Sequence, residues 1–446
     1  MRIKIQEKEL FTKLINRNFN LKLNDIDSFC IDSRLVQKND IFMPIKGDNV
    51  DPHKFIPEIL AKKPAMIFSE KEFENNRVIK VDSTKGILKK LAKQWIKSFT
   101  KTTIAITGSN GKTTTKEMLL SIFKSVYKVN NTKGNYNSLI GLPINLFNFS
   151  LDADINIVEM GASKPNEIHD LCQIIKPDYS LITNIHNAHI GNFKSFKQLL
   201  KTKLSIFENI ADSGTIFENN DDMNISKYCE GLKNKISFGF KNSKVDFFGE
   251  WKVKGKKAQF LINGKIISNQ YLNKIMAYNM LASYSISSTY GIEHQIIADV
   301  LKEFNFIEGR GRHINKNGYL IIDDTYNANF ESFKIGIESF MNMVYKGRKI
   351  LIIGDMKELG SQSKKDHISL GEYIKQESPD LVFSTGNLIS DTTSQLKNSK
   401  TISKHFIDKK TLIANLKSEL IEGDAIYFKA SRSLNFEDII KALWYT

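Results

Sequence analysis

Residues 104–118 read IAITGSNGKTTTKEM, and this stretch predicts a strand, a phosphate-binding loop and a helix in succession. The β-rich run Thr103–Thr107 leads into a loop bounded by Gly108 and Gly111, and a helix begins at Lys112. Because glycine has no Cβ, consecutive N–H groups of such a loop can point inward at phosphate oxygens. The positive end of the helix dipole favours the same anion. The stretch therefore predicts a nucleotide site.

The loop departs in one place from the usual GxxxxGK[ST] pattern, which would put glycine where the chain has Ile106. It is the tighter TGxxGKTT form. In this reading Lys112 reaches the β- and γ-phosphates, and the hydroxyl of Thr113 holds Mg²⁺. A plain glycine turn between a strand and a helix is the alternative. The strand, the loop, the Lys-Thr pair and an amphipathic helix occur together, which favours nucleotide binding.

The segments after the loop alternate between strand and helix patterns. Ile155–Val158 and Tyr179–Thr183 are short apolar runs that end in polar residues, with helical segments between them. Such alternation is typical of a parallel α/β sheet. Val245–Asn263 alternates around glycines and predicts appended antiparallel strands, and Tyr278–Thr289 predicts a helix. The apolar face of the helix after the loop comprises Met118, Leu119, Ile122, Phe123 and Val126.

The C-terminal third predicts a second open, Rossmann-like α/β sheet. Its strand candidates are Tyr319–Ile322, Ile350–Ile353, Leu381–Ser384 and Ala425–Phe428. A doubly wound sheet binds its ligands outside the carboxyl ends of its strands. The residues at those positions, which we expect to be the informative ones, are Asp323, Asp324, Gly354, Asp355 and Lys429 to Arg432.

The first 80 residues are short mixed segments, with strand candidates at Ile41–Ile45 and Ala65–Ser69 and a helix at Phe55–Lys62 between them. Lys85–Ser98 predicts a helix that connects them to the next region. We therefore expect an α/β protein of three domains. Residues 1–82 form a small mixed α/β domain, 83–308 a central P-loop domain with a parallel sheet and appended antiparallel strands, and 309–446 a Rossmann-like domain.

Length and composition agree with several soluble domains. A chain of 446 residues is too long for one core, and 41% hydrophobic with 25% charged residues excludes disorder, collagen and coiled coil as descriptions of the whole. No apolar run reaches the roughly 18–20 residues of a membrane helix, and the N-terminus lacks a signal-peptide pattern, so a cytoplasmic protein is expected. Cys30, Cys172 and Cys229 form no CxxC pair, which argues against a disulfide scaffold or a thiolate zinc site.

The net charge of +15 is compatible with nucleic acid, an anionic membrane surface or anionic small substrates as partners. The lysines are spread along the chain, without blocks of like charge or interleaved aromatics. We therefore interpret the surplus as compositional drift and expect no nucleic-acid partner.

Candidate metal ligands lie at strand ends beside the loop. Glu159 ends one strand, and Asn184, His186 and His189 follow another. A lone histidine is usually structural, and magnesium prefers oxygen ligands. A glutamate and a histidine at successive strand ends beside a nucleotide site are nevertheless better candidates for holding Mg²⁺ than a lone histidine would be.

The chain resembles the Mur ligases, the ATP-dependent enzymes that build the peptide stem of the peptidoglycan precursor. The motifs that carry the resemblance are TGSNGKTTTKEM, TKGNYNSLIGLP, VEMGAS and TNIHNAHIGNF. The motifs EGRGRHI, IIDDTYNANFES and IIGDMKELG resemble the branch that adds D-Ala-D-Ala to UDP-MurNAc-tripeptide. DSRLVQKNDIFMPIKGDNVDPHKFI resembles its uridine-nucleotide domain, so the likeness spans the chain in order.

The resemblance implies roles for individual residues. Ser33, Arg34 and His53 would bind the UDP-sugar, and Asn137 would lie near the phosphates or the acceptor. Thr113 and Glu159 would hold one Mg²⁺, and His189 would help to hold a second. The residues implied in ATP binding are Gly108, Ser109, Asn110, Gly111, Lys112, Thr113, Thr114, Asn279, Arg310, Asp324, Tyr326 and Asn327.

Lys203 matches the lysine that this family carbamylates. An ammonium beside Mg²⁺ is repelled, whereas the neutral amine can combine with CO₂ to give an anionic oxygen ligand. A solvated helix lysine is the alternative that the residue alone would favour. With Lys112, Glu159 and His189, the resemblance makes Lys203 a catalytic candidate.

The chain departs from the family pattern at several positions near the site. They are Leu204 and Ser205 after Lys203, Ser138, Ile275, Phe330 and the segment Lys429-Ala430-Ser431-Arg432. They concern the second metal and the adenine pocket.

The implied activity is carboxylate activation through an acyl phosphate, with the third domain closing about a hinge near Glu308–Gly311. A sister Mur ligase or a folylpolyglutamate synthase-like enzyme is one alternative, and a basic P-loop protein acting on nucleic acid is another. We expect a monomer. The third amino acid of the acceptor and the general base for the incoming amine are not readable from the sequence.

Overall fold

The computed structural model describes residues 1–47, 50–99, 101–187, 190–254, 257–268, 274–304 and 307–445. Within these residues the chain forms three sheets, of five, nine and six strands. Parallel pairing dominates all three, so the predicted α/β class is confirmed. No helix in these ranges has the length and apolar character needed to cross a bilayer.

The N-terminal sheet has the strand order β1-β2-β3-β4-β5, with only β1 antiparallel to its neighbour. Its elements are β1 (Arg2–Lys4), α1 (Lys8–Phe19), β2 (Ser28–Cys30), β3 (Asp40–Phe42), α2 (Ile56–Ala61), β4 (Met66–Ser69) and β5 (Val78–Lys80). The predicted strands correspond to β3 and β4 and the predicted helix Phe55–Lys62 to α2, with ends shifted by at most three residues.

The central sheet has the order β14-β13-β12-β11-β10-β9-β6-β8-β7. Pairing is parallel from β7 to β12 and antiparallel from β12 to β14, as predicted for the appended strands. Its elements are α3 (Thr84–Ile96), β6 (Thr102–Thr107), α4 (Lys112–Lys124), β7 (Val129–Asn131), α5 (Gly141–Leu146), β8 (Ile155–Glu159), α6 (Glu167–Cys172), β9 (Tyr179–Ile182), α7 (Phe196–Glu208), β10 (Thr215–Asn219), α8 (Met223–Cys229), β11 (Lys235–Gly239), β12 (Phe247–Lys254), β13 (Lys257–Ile262), β14 (Lys265–Ser268), α9 (Lys274–Thr289) and α10 (His294–Lys302).

The C-terminal sheet has the order β15-β16-β20-β17-β18-β19, parallel except for the edge hairpin β15–β16. Its elements are β15 (Arg312–Lys316), β16 (Tyr319–Asp324), α11 (Phe330–Asn342), β17 (Lys349–Gly354), α12 (Ser363–Glu377), β18 (Leu381–Thr385), α13 (Ser390–Ser394), β19 (Ile402–Phe406), α14 (Lys409–Glu419), β20 (Ala425–Lys429) and α15 (Glu437–Trp444). All four predicted strands of this region are present.

The N-terminal sheet packs on the central one through a shared aromatic core. The Phe11 ring centroid lies 5.2 Å from Trp95 and 4.8 Å from Phe147. The Trp95 indole N–H donates to the Leu146 carbonyl at 2.7 Å, so the buried ring has its polar group satisfied. This contact holds the first sheet against α3 and α5.

The structure corrects the predicted apolar face of α4 and shows the state of the three cysteines. Val126 lies beyond the end of α4 and is 46% exposed, so placing it on the apolar face was wrong. The three cysteines are buried and unpaired, and burial raises the pKa of the Cys30 thiol to about 11. The domain boundaries after residues 82 and 308 stay a prediction.

Candidate active site in the cleft between two sheets

The phosphate loop joins β6 to α4 with two glycines in the left-handed half of φ space. Gly108 has φ +143° and Gly111 has φ +85°. A Cβ on Gly108 would lie 2.0 Å from the Thr183 hydroxyl oxygen, and one on Gly111 would lie 2.5 Å from Asn279 Oδ1. Both positions therefore require glycine. The first turn of α4 presents its backbone donors at this point, because a helix cannot satisfy them internally.

The end of β9 fixes the loop. Asn184 Oδ1 accepts from the Asn110 N–H at 3.0 Å, and Asn184 Nδ2 donates to the Asn110 carbonyl at 3.0 Å. The Thr183 hydroxyl donates to the same carbonyl at 2.6 Å. Ser109 Oγ accepts from the His186 N–H and donates to its carbonyl. Asn184 and the His186 backbone thus shape the loop. His189 lies outside the described residues, so its predicted metal role is untested.

Two lysines converge on one carbonyl beneath the loop. Lys112 Nζ donates to the Gly108 carbonyl at 2.7 Å, and Lys203 Nζ of α7 donates to the same oxygen at 3.1 Å. Burial, and secondarily the positive charge of Lys112, lower the pKa of Lys203 to about 7. Burial lowers the pKa of Lys112 to about 8, although Glu159 acts in the other direction. The neutral amine of Lys203 is therefore accessible near pH 7.

Glu159 ends β8 and is 2% exposed. Its Oε1 accepts from Asn137 Nδ2 at 2.6 Å, and its backbone N–H donates to Thr132 Oγ1 at 3.0 Å. Its Oε2 is buried and has no hydrogen-bond partner among the described residues. A buried carboxylate oxygen needs a donor or a cation. Glu159 and the hydroxyl of Thr113 therefore fit a Mg²⁺ that shares its other ligands with a nucleotide.

Arg310 extends from the third sheet to the phosphate loop. Its Nη2 donates to Thr113 Oγ1 at 3.1 Å, and its guanidinium lies 3.8 Å from the centroid of the Tyr326 ring. The stacking fixes the planar group while its charge faces the loop. Arg310 and Tyr326 thus face the phosphate loop from the third sheet, and their predicted role in ATP binding stays a prediction.

Asp324 and the buried Lys429 form a partly buried ion pair at the carboxyl ends of neighbouring strands. Lys429 is 2% exposed, and its Nζ lies 2.6 Å from Asp324 Oδ2 and 3.0 Å from the Asn327 carbonyl. The Tyr427 hydroxyl donates to the same Oδ2 at 2.7 Å. The sequence analysis noted Lys429 only by its place after a strand and assigned Tyr427 no role. β16 and β20 place Asp324 beside Lys429 in register, which only the strand order reveals.

A pair of asparagines makes a second bridge across the cleft. Asn329 Nδ2 donates to Asn110 Oδ1 at 2.8 Å. Asn329 also caps α11. Its Oδ1 accepts from the Ser332 N–H, and Ser332 Oγ accepts from the Asn329 N–H. The sequence analysis missed this residue, although an asparagine followed three residues later by a serine is a capping signal.

A cavity of ≈ 370 Å³ between the two sheet edges collects the predicted nucleotide residues. Its volume falls within the usual range of small-molecule sites, about 300–1,000 Å³. Gly108 and Lys203 are absent from the lining and meet beneath the loop. The predicted residues that line it are Ser109, Asn110, Gly111, Lys112, Thr113, Thr114, Asn137, Glu159, Asn279, Arg310, Asp324, Tyr326 and Asn327.

The departures from the family pattern have local explanations. Phe330 is the first residue of α11, a position where proline is favoured but not needed once Asn329 caps the helix. Ser138 Oγ accepts from the Gly141 N–H at 3.2 Å and so initiates α5. Ile275 lines the cavity and gives that wall an apolar surface.

The predicted UDP-sugar residues are separate from this cavity. The Arg34 side chain is 84% exposed and lies 2.7 Å from Asp32, whose pKa its guanidinium lowers. His53 is buried, with Nδ1 2.6 Å from Asp51 Oδ1 and Nε2 accepting from the Glu70 N–H at 3.1 Å. Both ring nitrogens are thus held by protein, and a binding role for Ser33, Arg34 and His53 stays a prediction.

A glycine contact joins the segment that begins at Ile190 to the loop after β17. The Gly191 N–H donates to the Glu358 carbonyl at 3.1 Å. A Cβ on Gly191 would lie 2.6 Å from the Gly360 nitrogen, and one on Gly360 would lie 2.7 Å from Gly191 Cα. Only glycine on each side permits this approach of the two backbones.

Comparisons with known proteins agree with this geometry. Residues 106–287 match the Mur ligase middle domain, and residues 309–432 match the Mur ligase, glutamate ligase domain. The UDP-N-acetylmuramoyl-tripeptide–D-alanyl-D-alanine ligase of Bacillus subtilis is 29% identical over 94% of this chain and 93% of its own length. The enzyme of that name from Buchnera aphidicola subsp. Baizongia pistaciae is 32% identical over 94% and 92%.

Solved structures show the same likeness. The MurF ligase of Thermotoga maritima in complex with ADP has a TM-score of 0.82 at 30% identity, covering 93% of this chain and 96% of that one. MurF from Acinetobacter baumannii has a TM-score of 0.87 at 24% identity over the full length of both, which supports the fold. The chain therefore belongs to the Mur ligase family and, within it, to the UDP-N-acetylmuramoyl-tripeptide–D-alanyl-D-alanine ligases (MurF).

Proposed function

We propose that this chain is an ATP-dependent carbon–nitrogen ligase that joins D-Ala-D-Ala to UDP-MurNAc-tripeptide and so completes the pentapeptide of the peptidoglycan precursor. Relatives of that name match it over nearly their whole length. The observation that carries the proposal is the convergence of the phosphate loop, Glu159 and Arg310 on one cavity. The third residue of the stem, meso-diaminopimelate or L-lysine, is left open.

The reaction begins with attack of the tripeptide carboxylate on the γ-phosphoryl of ATP, which forms an acyl phosphate and releases ADP. The amine of D-Ala-D-Ala then attacks the acyl carbon, and the tetrahedral intermediate collapses with loss of phosphate. Lys112 and Arg310 offset the charge of the transferring phosphoryl group from opposite sides of the cleft. Asn279 stands where adenine would contact α9, and Asn137 orients Glu159.

Two Mg²⁺ ions, when bound, neutralise charge on the phosphates and polarise the phosphoryl oxygens. Thr113 and Glu159 would hold one, and His189 with carbamylated Lys203 would hold the other. The carbamate forms when the neutral amine of Lys203 adds to CO₂ and releases a proton. The pKa of Lys203, about 7, supports this step, since the amine is partly neutral at physiological pH. The buried, unpartnered Oε2 of Glu159 supports the first site.

The proposal extends to the division of labour along the chain. Residues 1–82 bind the UDP-sugar through Ser33, Arg34 and His53, residues 83–308 bind ATP and metal, and residues 309–446 close over the centre. We propose a monomeric, cytoplasmic enzyme that neither binds nucleic acid nor inserts into a membrane. The diffuse distribution of the +15 charge supports the proposal that it does not bind nucleic acid.

The test is phosphate release with ATP, D-Ala-D-Ala and each of the two UDP-tripeptides. We expect turnover that requires all three substrates. Turnover with another amino acid or peptide in place of D-Ala-D-Ala would indicate a sister ligase or a folylpolyglutamate synthase-like enzyme. ATP hydrolysis stimulated only by a polynucleotide would favour the nucleic-acid alternative.

Domain closure gives a prediction at the glycine contact. Gly191→Ala adds a Cβ that would lie 2.6 Å from the Gly360 nitrogen, so the third domain cannot close fully about the segment Glu308–Gly311. We expect kcat to fall roughly tenfold, since small misplacements of reacting groups are costly, while the affinity for ADP stays unchanged. Steady-state phosphate release and calorimetric ADP titration measure the two quantities.

The matched control is Gly86→Ala, where the new Cβ would meet Ser83 at an ordinary 3.4 Å. Its kcat should equal that of the parent. Equal kcat for Gly191→Ala would show that closure does not depend on this contact.

A further inference from the structure

Lys116 is a buried cation that the proposed mechanism does not use. It lies on α4, one helical turn after Lys112, and is 0% exposed. Its Nζ donates to the Thr132 carbonyl at 2.8 Å and lies 2.9 Å from Glu117 Oε1. An ammonium is costly to bury unless it is paired and hydrogen-bonded. The hydrogen bond to the Thr132 carbonyl offsets part of this cost.

Thr132, which accepts from Lys116, also contacts the backbone of Glu159. Thr132 follows β7 directly and is 1% exposed. Its N–H donates to the Ile157 carbonyl at 3.2 Å, and its Oγ1 accepts from the Glu159 N–H at 3.0 Å. Thr132 thus joins the two residues: its carbonyl accepts from Lys116, and its hydroxyl accepts from the Glu159 N–H.

The loop that begins at Thr132 returns to the Glu159 side chain. Asn145 fastens it, since its Oδ1 accepts from the Lys133 N–H at 3.1 Å and its Nδ2 donates to the Tyr136 carbonyl at 3.0 Å. The loop then delivers Asn137, whose Nδ2 donates to Glu159 Oε1 at 2.6 Å. The same loop therefore orients both the main chain and the carboxylate of Glu159.

We propose that Lys116 is a positioning residue for the first magnesium site. It links α4, which carries Thr113 in its first turn, to the loop 132–137 that orients Glu159. Thr113 approaches the site from α4 and Glu159 from β8. The Lys116 hydrogen bond joins α4 to Thr132, the loop residue whose hydroxyl accepts from the Glu159 N–H. The inference rests on the proposed function of Glu159 and Thr113 and adds a residue that touches neither metal nor nucleotide.

The experiment measures how much Mg²⁺ strengthens ADP binding. ADP is titrated calorimetrically into the full-length protein with Mg²⁺ and with EDTA, and the ratio of the two Kd values is compared among variants. For Lys116→Met we expect the affinity without metal to be unchanged and the gain from Mg²⁺ to fall about tenfold, as for other outer-shell partners of a metal site. Lys116→Arg should restore part of the gain, because it keeps a cationic donor.

Thr132→Val keeps the carbonyl that accepts from Lys116 and removes the next link, the hydroxyl that accepts from the Glu159 N–H. It should lose a similar fraction of the gain. The double variant should lose little more than either single variant, because the two residues act in one chain of contacts. Lys124→Met, an exposed lysine of the same helix, is the matched control and should keep the full gain.

The outcomes separate three explanations. If Lys116→Met and Thr132→Val keep the full gain while their melting temperatures fall, Lys116 is structural only and the inference is wrong. If Lys116→Met does not fold, Thr132→Val and Lys116→Arg decide the question by the same ratio. If Glu159→Gln itself keeps the gain, the proposed function of Glu159 fails, and the failure does not come from Lys116.

Discussion

Replacing Glu159 by glutamine is expected to lower kcat about 10²–10³-fold, the range seen when one preorganised electrostatic partner of a transition state is removed. The substitution is nearly isosteric, and the oxygen that accepts from Asn137 Nδ2 can be kept. What is lost is the charge on a carboxylate whose Oε2 is buried and has no hydrogen-bond partner among the described residues. Steady-state phosphate release and ADP titration with and without Mg²⁺ measure the effect.

The loss should fall on the metal-dependent step alone. ADP binding in EDTA should be unchanged, because the phosphate loop is held by Thr183 and Asn184 rather than by Glu159. Glu167→Gln is the matched control, since Glu167 lines the same cavity but accepts from the Ser163 N–H at 2.6 Å. We expect that control to stay within about threefold of the parent. A kcat of Glu159→Gln within that range would remove Glu159 from the metal site.

The sequence predicts those strands that are themselves apolar runs. β6, β8 and β9 of the central sheet and β17, β18 and β20 of the third sheet are buried on both faces, as helices on either side of a parallel sheet require. Strands such as β2 and β7 have three residues each, too few for a periodic pattern. Their pairing depends on neighbours distant in sequence, so local residue patterns could not reveal it.

The same limit applies to the site. The loop glycines, Lys112 and Glu159 have a local pattern because each lies at the carboxyl end of a strand or a few residues after it. The bridge between Asn110 and Asn329 joins residues 219 positions apart, and no local signal predicts it. The UDP-sugar role of His53 rests on the family resemblance alone and stays a prediction, and the structure adds that both ring nitrogens have protein partners.

The surplus of +15 is a poor guide to function when taken as a total. Lys116, Lys203 and Lys429 are each at most 3% exposed, and each is held by a carbonyl or a carboxylate near the cleft. Burial makes such cations expensive, so their positions carry information that the many solvated lysines lack. Of the three, only Lys429 lines the cavity, while Lys116 and Lys203 contact the elements that form it.

Lys203→Ala is expected to lower activity about 10²–10³-fold if the lysine supplies an anionic metal ligand. Short carboxylic acids added to this variant should restore part of the rate, because they can offer the missing oxygens. Lys201→Ala, an exposed lysine of the same helix, is the matched control and should leave the rate unchanged. A Lys203→Ala enzyme with the parental rate would end the carbamate proposal.

The pH dependence provides an independent test of the same residue. Burial lowers the pKa of Lys203 from its ordinary 10.5 to about 7 in the folded state, so the amine becomes neutral as the pH rises through 7. Carbamylation and the activity that depends on it should increase over that range. Between pH 7 and 10.5 the unfolded chain binds one more proton at this site than the folded chain, so the free energy of unfolding rises with pH there. Lys203→Ala should lose both dependences, whereas a lysine that stays protonated in the folded protein would show neither.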